Sequence, residues 1–158
     1  MLLRDIDPAS DAEIALVAAR MRDTLVEVLG EERGRATYTL DWLRDRVRFH
    51  LDPARVGRVV LAEEAGAIVG HAIARVERDE AGLYGWFSTI FVIPEARRRG
   101  IAVALADETE AWLLGRGLDR LAYATGAHHR RVIAFFERRG YRARAPEGEM
   151  VLLERRVG

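Results

Sequence analysis

The chain has 158 residues, a length typical of one domain, and 49% of them are apolar while 32% are charged. Its 25 basic residues are matched by 25 acidic ones, which disfavours nucleic acid and acidic membranes as partners, and no apolar run reaches the length of a membrane span. Cysteine is absent, which excludes disulfides, thiolate metal sites and a cysteine nucleophile. We therefore expect a cytoplasmic protein with one domain over residues 1–158 and no membrane or nucleic-acid partner.

The first third of the chain predicts a short strand followed by two helices. Residues 2–6 form the expected strand, and a capping box at residues 10–13 starts a helix whose apolar residues recur at helical spacing to Val28. Residues 30–34, rich in Glu and Arg, predict a loop. A second helix follows over residues 40–51 and is ended by Pro53.

The rest of the chain alternates strands with helices. In chain order the patterns predict a hairpin over 58–63 and 67–76, a strand over 84–93, a helix over 99–114, a strand over 118–124, a helix over 130–139 and closing strands over 141–145 and 150–156. The element order is thus β-α-α-β-β-β-α-β-α-β-β. Mixed runs of this kind favour an α/β (α+β) domain with a mixed sheet over a doubly wound one.

The segment from Arg97 to Ala102 carries the strongest indication of a ligand. It joins a strand that ends at Pro94 to a helix that begins near Gly100. The first amides of a helix lack intrahelical partners and form an anion site together with the helix dipole. Gly100 lets a ligand approach the backbone, and the guanidinium groups of residues 97–99 add donors for phosphate oxygens. A solvated basic turn is the alternative interpretation.

Three motifs in this half of the chain resemble one known family. Arg97-x-x-Gly100-x-Ala102 is similar to the Q/R-x-x-G-x-G/A pyrophosphate loop of the GNAT superfamily of acyl-CoA-dependent N-acetyltransferases. Residues 92–95 resemble its V-x-P-E lead-in, and residues 135–141 resemble its later F-Y-E-K-x-G-F segment. The element order agrees over the whole chain.

The resemblance implies a mostly antiparallel mixed sheet flanked by helices and direct attack of a primary amine on the thioester of acetyl-CoA. The strand ending at Ile93 would splay from the strand ending near Ala124, and the pantetheine arm would pair with the backbone of Phe91 and Val92 in the gap. A backbone N–H of the splayed strand would stabilise the oxyanion. The implied cofactor-binding residues are Phe91, Val92, Ile93, Arg97, Arg98, Arg99, Gly100, Ile101, Ala102, His129 and Phe136.

The chain departs from the family at the positions expected to carry acid–base chemistry. Phe136 stands where many relatives have a tyrosine acid, and Trp86 aligns near the usual glutamate base. Ser88, relaying a water, and His129, in place of a frequent asparagine, are the remaining catalytic candidates. These losses leave a second hypothesis open, a CoA-binding domain without transferase activity.

The acceptor is expected to be a small-molecule or peptide amine that binds near residues 26–38. Glu27, Glu31 and Glu32 would attract a cationic amine, or else form a solvated acidic loop. No His, Asp or Glu spacing indicates a metal site, and a homodimer is one assembly compatible with the sequence.

Overall fold

The computed structural model describes all 158 residues as seven strands and five helices. The strands are β1 (Leu2–Asp5), β2 (Gly57–Glu64), β3 (Ala67–Asp79), β4 (Gly82–Val92), β5 (Arg120–Gly126), β6 (Arg142–Ala143) and β7 (Met150–Arg156). The helices are α1 (Asp11–Leu29), α2 (Glu31–Ala36), α3 (Leu40–Leu51), α4 (Ile101–Leu114) and α5 (Arg130–Arg138), with a 3-10 turn at Pro94–Ala96.

All seven strands form one sheet in the order β1-β2-β3-β4-β5-β7-β6. Every neighbouring pair is antiparallel except β4 and β5, which run parallel. A parallel pair needs a crossover connection, and α4 supplies it. The predicted α+β fold with a mixed, mostly antiparallel sheet is confirmed.

The helices cover both faces of the sheet. Alternate residues of a strand face opposite sides, so Val59 and Leu61 of β2 pack with α1 and α3, while Val60 and Ala62 pack with α4. In a third cluster, Phe136 of α5 packs against buried side chains of β4, β5 and β7. None of the five helices combines the length and apolarity needed to cross a bilayer.

The segment expected to be a loop at residues 30–34 is instead helical from Glu31, where α2 begins. Gly34 lies directly against the backbone of Val26 in α1, where a side chain would clash. This contact with the preceding helix supports a six-residue helix that its own sequence does not predict. The remaining differences are in element ends, since β3 continues to Asp79 and β6 is only two residues long.

The later motif ends α5 and fixes it to the core. Gly140 has a φ of 93°, a left-handed conformation that suits glycine. The Tyr141 hydroxyl donates to Glu110 of α4 at 2.8 Å, and Arg139 and Arg155 donate to the same carboxylate at 2.8 Å. Glu110 is 3% exposed, so these partners compensate a buried charge.

Candidate active site

The strands β4 and β5 separate after a short stretch of pairing. Their register joins Gly85 to Leu121, continues one residue along, and ends where Phe87 meets Tyr123. Beyond that point β4 runs to Val92 and β5 to Gly126 with no further pairing. Two cavities adjoin this divergence, and Thr24 and Tyr123 line both.

The first cavity, which we call the cofactor cleft, has a volume of about 310 Å³. It lies between the diverging end of β4, the turn before α4, and α5. The sequence predicted eight of its lining residues: Phe91, Val92, Arg97, Arg98, Gly100, Ile101, Ala102 and His129.

The turn before α4 presents a row of unpaired backbone donors. No protein group accepts a hydrogen bond from the amides of residues 98–103, and α4 has no side-chain cap. Arg98 and Gly100 both adopt left-handed conformations, with φ of 65° and 79°. A Cβ at Gly100 would have no protein atom within 4 Å, so the backbone there is open to a ligand. Such a concave row of amides is a site for an anion.

The guanidinium groups of the turn divide into two sets, which the sequence did not distinguish. Arg97 donates to Val92 O at 2.7 Å and to Glu27 at 2.5 Å, while Arg99 pairs with Glu64 at 2.9 Å. Both side chains are thus held by partners within the protein, and Arg99 is absent from the cleft wall.

Three other arginines supply positive charge to the cofactor cleft. Arg98, Arg131 and Arg138 line it, and no carboxylate lies within ion-pair distance of them. Together with Phe135, the last two lie at spacings of four and three residues on α5, which is one face of a helix. That spacing was visible in the sequence and could have identified them.

Where β4 has separated from β5, its free edge carries the backbone N–H groups of Ile90 and Val92. The N–H of Ile93 donates to Val69 O on β3 at 2.9 Å, and the carbonyl of Phe91 lies against Gly70 of β3. Since backbone groups alternate along a strand, the N–H groups of Ile90 and Val92 point away from β3. Phe91 contributes its side chain to the cleft, whereas the sequence had assigned it a backbone role, and Ile93 is not on the wall.

Phe136 lies behind the cleft and not on its wall. It is 0% exposed and packs against the rings of Phe87, Phe135, Tyr141 and Tyr123. The sequence expectation that it binds cofactor is wrong for a simple reason. Adjacent residues of a helix face different directions, and here it is Phe135 that lines the cleft.

The second cavity, which we call the acceptor cavity, has a volume of about 350 Å³ and is mostly apolar. It lies between α1, α3, β4 and β5. Its wall consists of Met21, Thr24, Leu25, Val28, Leu29, Tyr38, Trp42, Leu43, Arg46, Arg75, Trp86, Ser88, Thr89, Tyr123, Ala124, Thr125 and Met150.

A β-bulge at Ser88 places two hydroxyls on the wall of the acceptor cavity. In the register with β3, Phe87 faces Ala74 and Thr89 faces Ile73, so Ser88 has no partner. The bulge directs Ser88 and Thr89 to the same side of the sheet. The hydroxyl oxygen of Thr89 is buried without a hydrogen-bond partner, which is costly unless a ligand or water satisfies it.

The two predicted catalytic candidates lie on different cavities. Ser88 lines the acceptor cavity, whereas His129 caps α5 and lines the cofactor cleft. The Nδ1 of His129 is 3.4 Å from the hydroxyl of Thr125, and burial lowers the pKa of the imidazole below its ordinary value.

Tyr123 is the residue that sequence reasoning missed. It stands at the last β4–β5 pair, lines both cavities, and is 5% exposed. Burial raises the pKa of its hydroxyl to about 12, although the nearby hydroxyl of Thr125 opposes the shift. The hydroxyl therefore stays protonated at neutral pH.

The acidic residues expected to attract the acceptor lie elsewhere. Glu27 lines the cofactor cleft and is paired with Arg97, while Glu31 is paired with Arg35 on the surface. Glu32 is exposed and lines neither cavity.

The geometry agrees with a comparison against family models. The Acetyltransferase (GNAT) family model matches residues 18–141, which include the turn before α4, β5 and α5. The chain belongs to the GNAT family. No curated protein sequence matches it.

Solved structures share this GNAT fold at low sequence identity. The PaiA N-acetyltransferase of Thermoplasma acidophilum, in complex with coenzyme A, is 12% identical over 98% of both chains, with a TM-score of 0.78. A ribosomal-protein-alanine N-acetyltransferase of Brucella melitensis is 17% identical over 99% of this chain and 100% of its own, with a TM-score of 0.78. A GNAT acetyltransferase of Elizabethkingia anophelis with acetyl-CoA bound is 13% identical over 99% and 97%, with a TM-score of 0.66.

Proposed function

We propose that the protein is an N-acetyltransferase that moves an acetyl group from acetyl-CoA to a primary amine by direct attack on the thioester. The observation that carries the proposal is the meeting of two cavities at Tyr123. One is lined by unpaired amides and arginines, and the other is mostly apolar. An acyl donor in one and an amine in the other would meet where β4 and β5 diverge.

The cofactor cleft has the donors that acetyl-CoA requires. The amides of residues 98–103 would hold the pyrophosphate, with Arg98, Arg131 and Arg138 offering further donors to phosphate oxygens. The N–H groups of Ile90 and Val92, which point away from β3, would bind the pantetheine carbonyls as an added strand does. Structures of family members from Thermoplasma acidophilum and Elizabethkingia anophelis contain coenzyme A and acetyl-CoA, respectively.

In the proposed reaction the amine nitrogen bonds to the thioester carbon and the carbon–sulfur bond breaks. The amine loses one proton on becoming an amide, and the departing thiolate gains one. Tyr123 is our candidate proton donor, because its hydroxyl is protonated at neutral pH and the residue lines both cavities. A water bound at Ser88 would take the proton of the amine, and the tyrosinate would recover a proton through Thr125 and His129.

A CoA-binding protein without transferase activity is the second candidate. Two observations favour it: Phe136 occupies the position of the usual tyrosine, and the acceptor cavity has no Asp, Glu or His on its wall. Positioning alone accelerates reactions of bound partners greatly, so the missing base is compatible with transfer.

Two measurements together test the proposal. Acetyl-CoA at millimolar concentration should raise the melting temperature, since a ligand that binds the folded state stabilises it. Thiol release from acetyl-CoA should then depend on an added amine. Binding without amine-dependent release from a broad amine panel would support the second candidate, and absence of binding would contradict both.

A further inference from the structure

The charge of the acceptor cavity is positive, although the cavity is proposed to receive an amine. Its wall includes Arg46 and Arg75 and contains no acidic residue. The carboxylate of Glu77, behind the wall, is already paired with Arg75. A dicationic or polycationic amine would therefore meet repulsion with no free carboxylate on the cavity wall.

Arg75 is committed to groups within the protein. Its Nε donates to Glu77, and its NH1 group lies 3.0 Å from Nε2 of His50. The Nδ1 of His50 donates to the carbonyl of Arg46 at 2.9 Å, so Nε2 is the acceptor for Arg75 in the neutral ring. Burial keeps that ring neutral by lowering the pKa of His50 to about 4.

Arg46 lacks any such partner. It forms no ion pair, and its side chain makes no hydrogen bond to protein. Its guanidinium carbon lies 4.1 Å from the ring centroid of Phe49 and 6.0 Å from that of Trp42, which is itself on the cavity wall. Burial and the nearby charge of Arg75 lower the pKa of Arg46, although the carboxylate of Glu77 opposes the shift from beyond ion-pair distance.

The apolar part of the wall can accommodate a hydrophobic group of a ligand. Tyr38 and Trp42 stack with centroids 3.9 Å apart, yet they remain 38% and 43% exposed at the cavity. Exposed aromatic rings beside a cavity mark a ligand surface more often than a stability element. Met21, Leu25 and Trp86 extend this surface inward.

From these contacts we infer that the acceptor is an amino carboxylate with an aromatic or aliphatic side chain. Its carboxylate pairs with Arg46, its side chain packs on Tyr38 and Trp42, and its amine lies towards Ser88 and Thr89. A carboxylate accepts well from a planar guanidinium, and the pair neutralises the charge of the cavity. This inference rests on the proposed transferase function and names its substrate class.

The test compares two amines that differ only in the carboxylate, together with a polyamine as a contrasting acceptor. Thiol release from acetyl-CoA is measured with L-phenylalanine, L-phenylalaninamide and spermidine. The kcat/KM for L-phenylalanine should exceed that for its amide by about 10-fold or more, as expected for a charged hydrogen bond. Arg46→Gln should remove the preference, whereas Arg48→Gln on the same helix, which pairs with Asp11 and Asp45 outside the cavity, should retain it.

A binding measurement separates this inference from the proposed function. With coenzyme A present, N-acetyl-L-phenylalanine should raise the melting temperature more than its amide does, and Arg46→Gln should abolish the difference. Equal effects of the two compounds, or a preference for spermidine or the amide in turnover, would overturn the inference. A selective rise without turnover would support the acceptor class while contradicting the transferase function.

Discussion

The ring of Tyr123 stacks on the ring of Phe136, with centroids 4.2 Å apart and planes inclined by 14°. Tyr123 faces the two cavities, and Phe136 supports it from behind. The aromatic residue of α5 therefore fixes the position of a hydroxyl that belongs to β5. We therefore expect substitution of Tyr123 to affect the reaction and substitution of Phe136 to affect stability.

Removing the hydroxyl of Tyr123 should slow the chemical step. Tyr123→Phe keeps the stacked ring but leaves the departing thiolate without its proton donor. We expect single-turnover transfer to fall by about 100-fold, a typical contribution of a general acid, with affinity for acetyl-CoA unchanged. Rapid mixing of the acetyl-CoA complex with acceptor measures this rate. A variant as fast as the parent would exclude Tyr123 as the donor.

Adding a hydroxyl at Phe136 should harm stability without aiding the reaction. Phe136→Tyr places the new oxygen in a core of aromatic rings, with no exposed surface to reach solvent. An unsatisfied buried hydroxyl is expected to lower the free energy of unfolding by about 1–3 kcal/mol. Urea denaturation measures the loss, and single-turnover transfer by the folded fraction should not accelerate. Faster transfer would show that the oxygen reaches the thioester sulfur.

Filling the space above Gly100 should abolish cofactor binding. Gly100→Glu introduces a side chain and a negative charge beside the unpaired amides of the turn, where we propose that the pyrophosphate binds. The left-handed backbone also costs about 1–2 kcal/mol for a residue with a Cβ. Gly117→Glu is the matched control, because Gly117 has a φ of 81°, equally open surroundings and no place on the cleft wall. Isothermal titration with acetyl-CoA should show binding only in the control. Binding by both would place the phosphate site elsewhere.

Buried histidines should make the protein less stable in mild acid. Burial lowers the pKa of His50 to about 4, and burial together with the charge of Arg20 lowers that of His71 to about 3. Both values lie below the roughly 6.5 of an unfolded chain, so the unfolded state binds protons first as the pH falls. The free energy of unfolding should therefore be constant above pH 6.5 or so, and fall below it by up to about 1.4 kcal/mol per pH unit for each group.

Urea denaturation between about pH 7 and 5, above the range of ordinary carboxylates, measures this slope. His71→Leu is the informative variant, because neither ring nitrogen of His71 has a hydrogen-bond partner and the residue is 0% exposed. In this variant the free energy of unfolding should fall less steeply with decreasing pH, by the contribution of one histidine. His50 and His129 should still contribute to the slope. A slope identical to that of the parent would contradict a neutral, buried His71.

The sequence was sufficient for features that depend on neighbouring residues. The turn before α4 is one such feature, because its unpaired amides, Gly100 and the start of the helix all lie within a few residues. Strand and helix order followed from hydrophobic spacing in the same way. The fold class was therefore predictable without the structure.

Features set by distant residues were not predictable. The guanidinium groups of Arg97 and Arg99 are paired with Glu27 and Glu64, which lie 70 and 35 positions away in the chain. Likewise, Tyr123 lines both cavities because β4 and β5, which are distant in the chain, diverge beside it. Local patterns do not contain such pairings.

The brief pairing of β4 with β5 has a consequence for how the protein opens. Only three residue pairs of the ladder join β1 to β4 with the group formed by β5, β7 and β6. Regions joined by few backbone hydrogen bonds exchange their amide protons through separate local openings. A pantetheine arm bonded to Ile90 and Val92 would extend the ladder across the gap. Occupancy of the cleft would then strengthen the connection between the two groups of strands, and amide exchange would slow well beyond the atoms in contact.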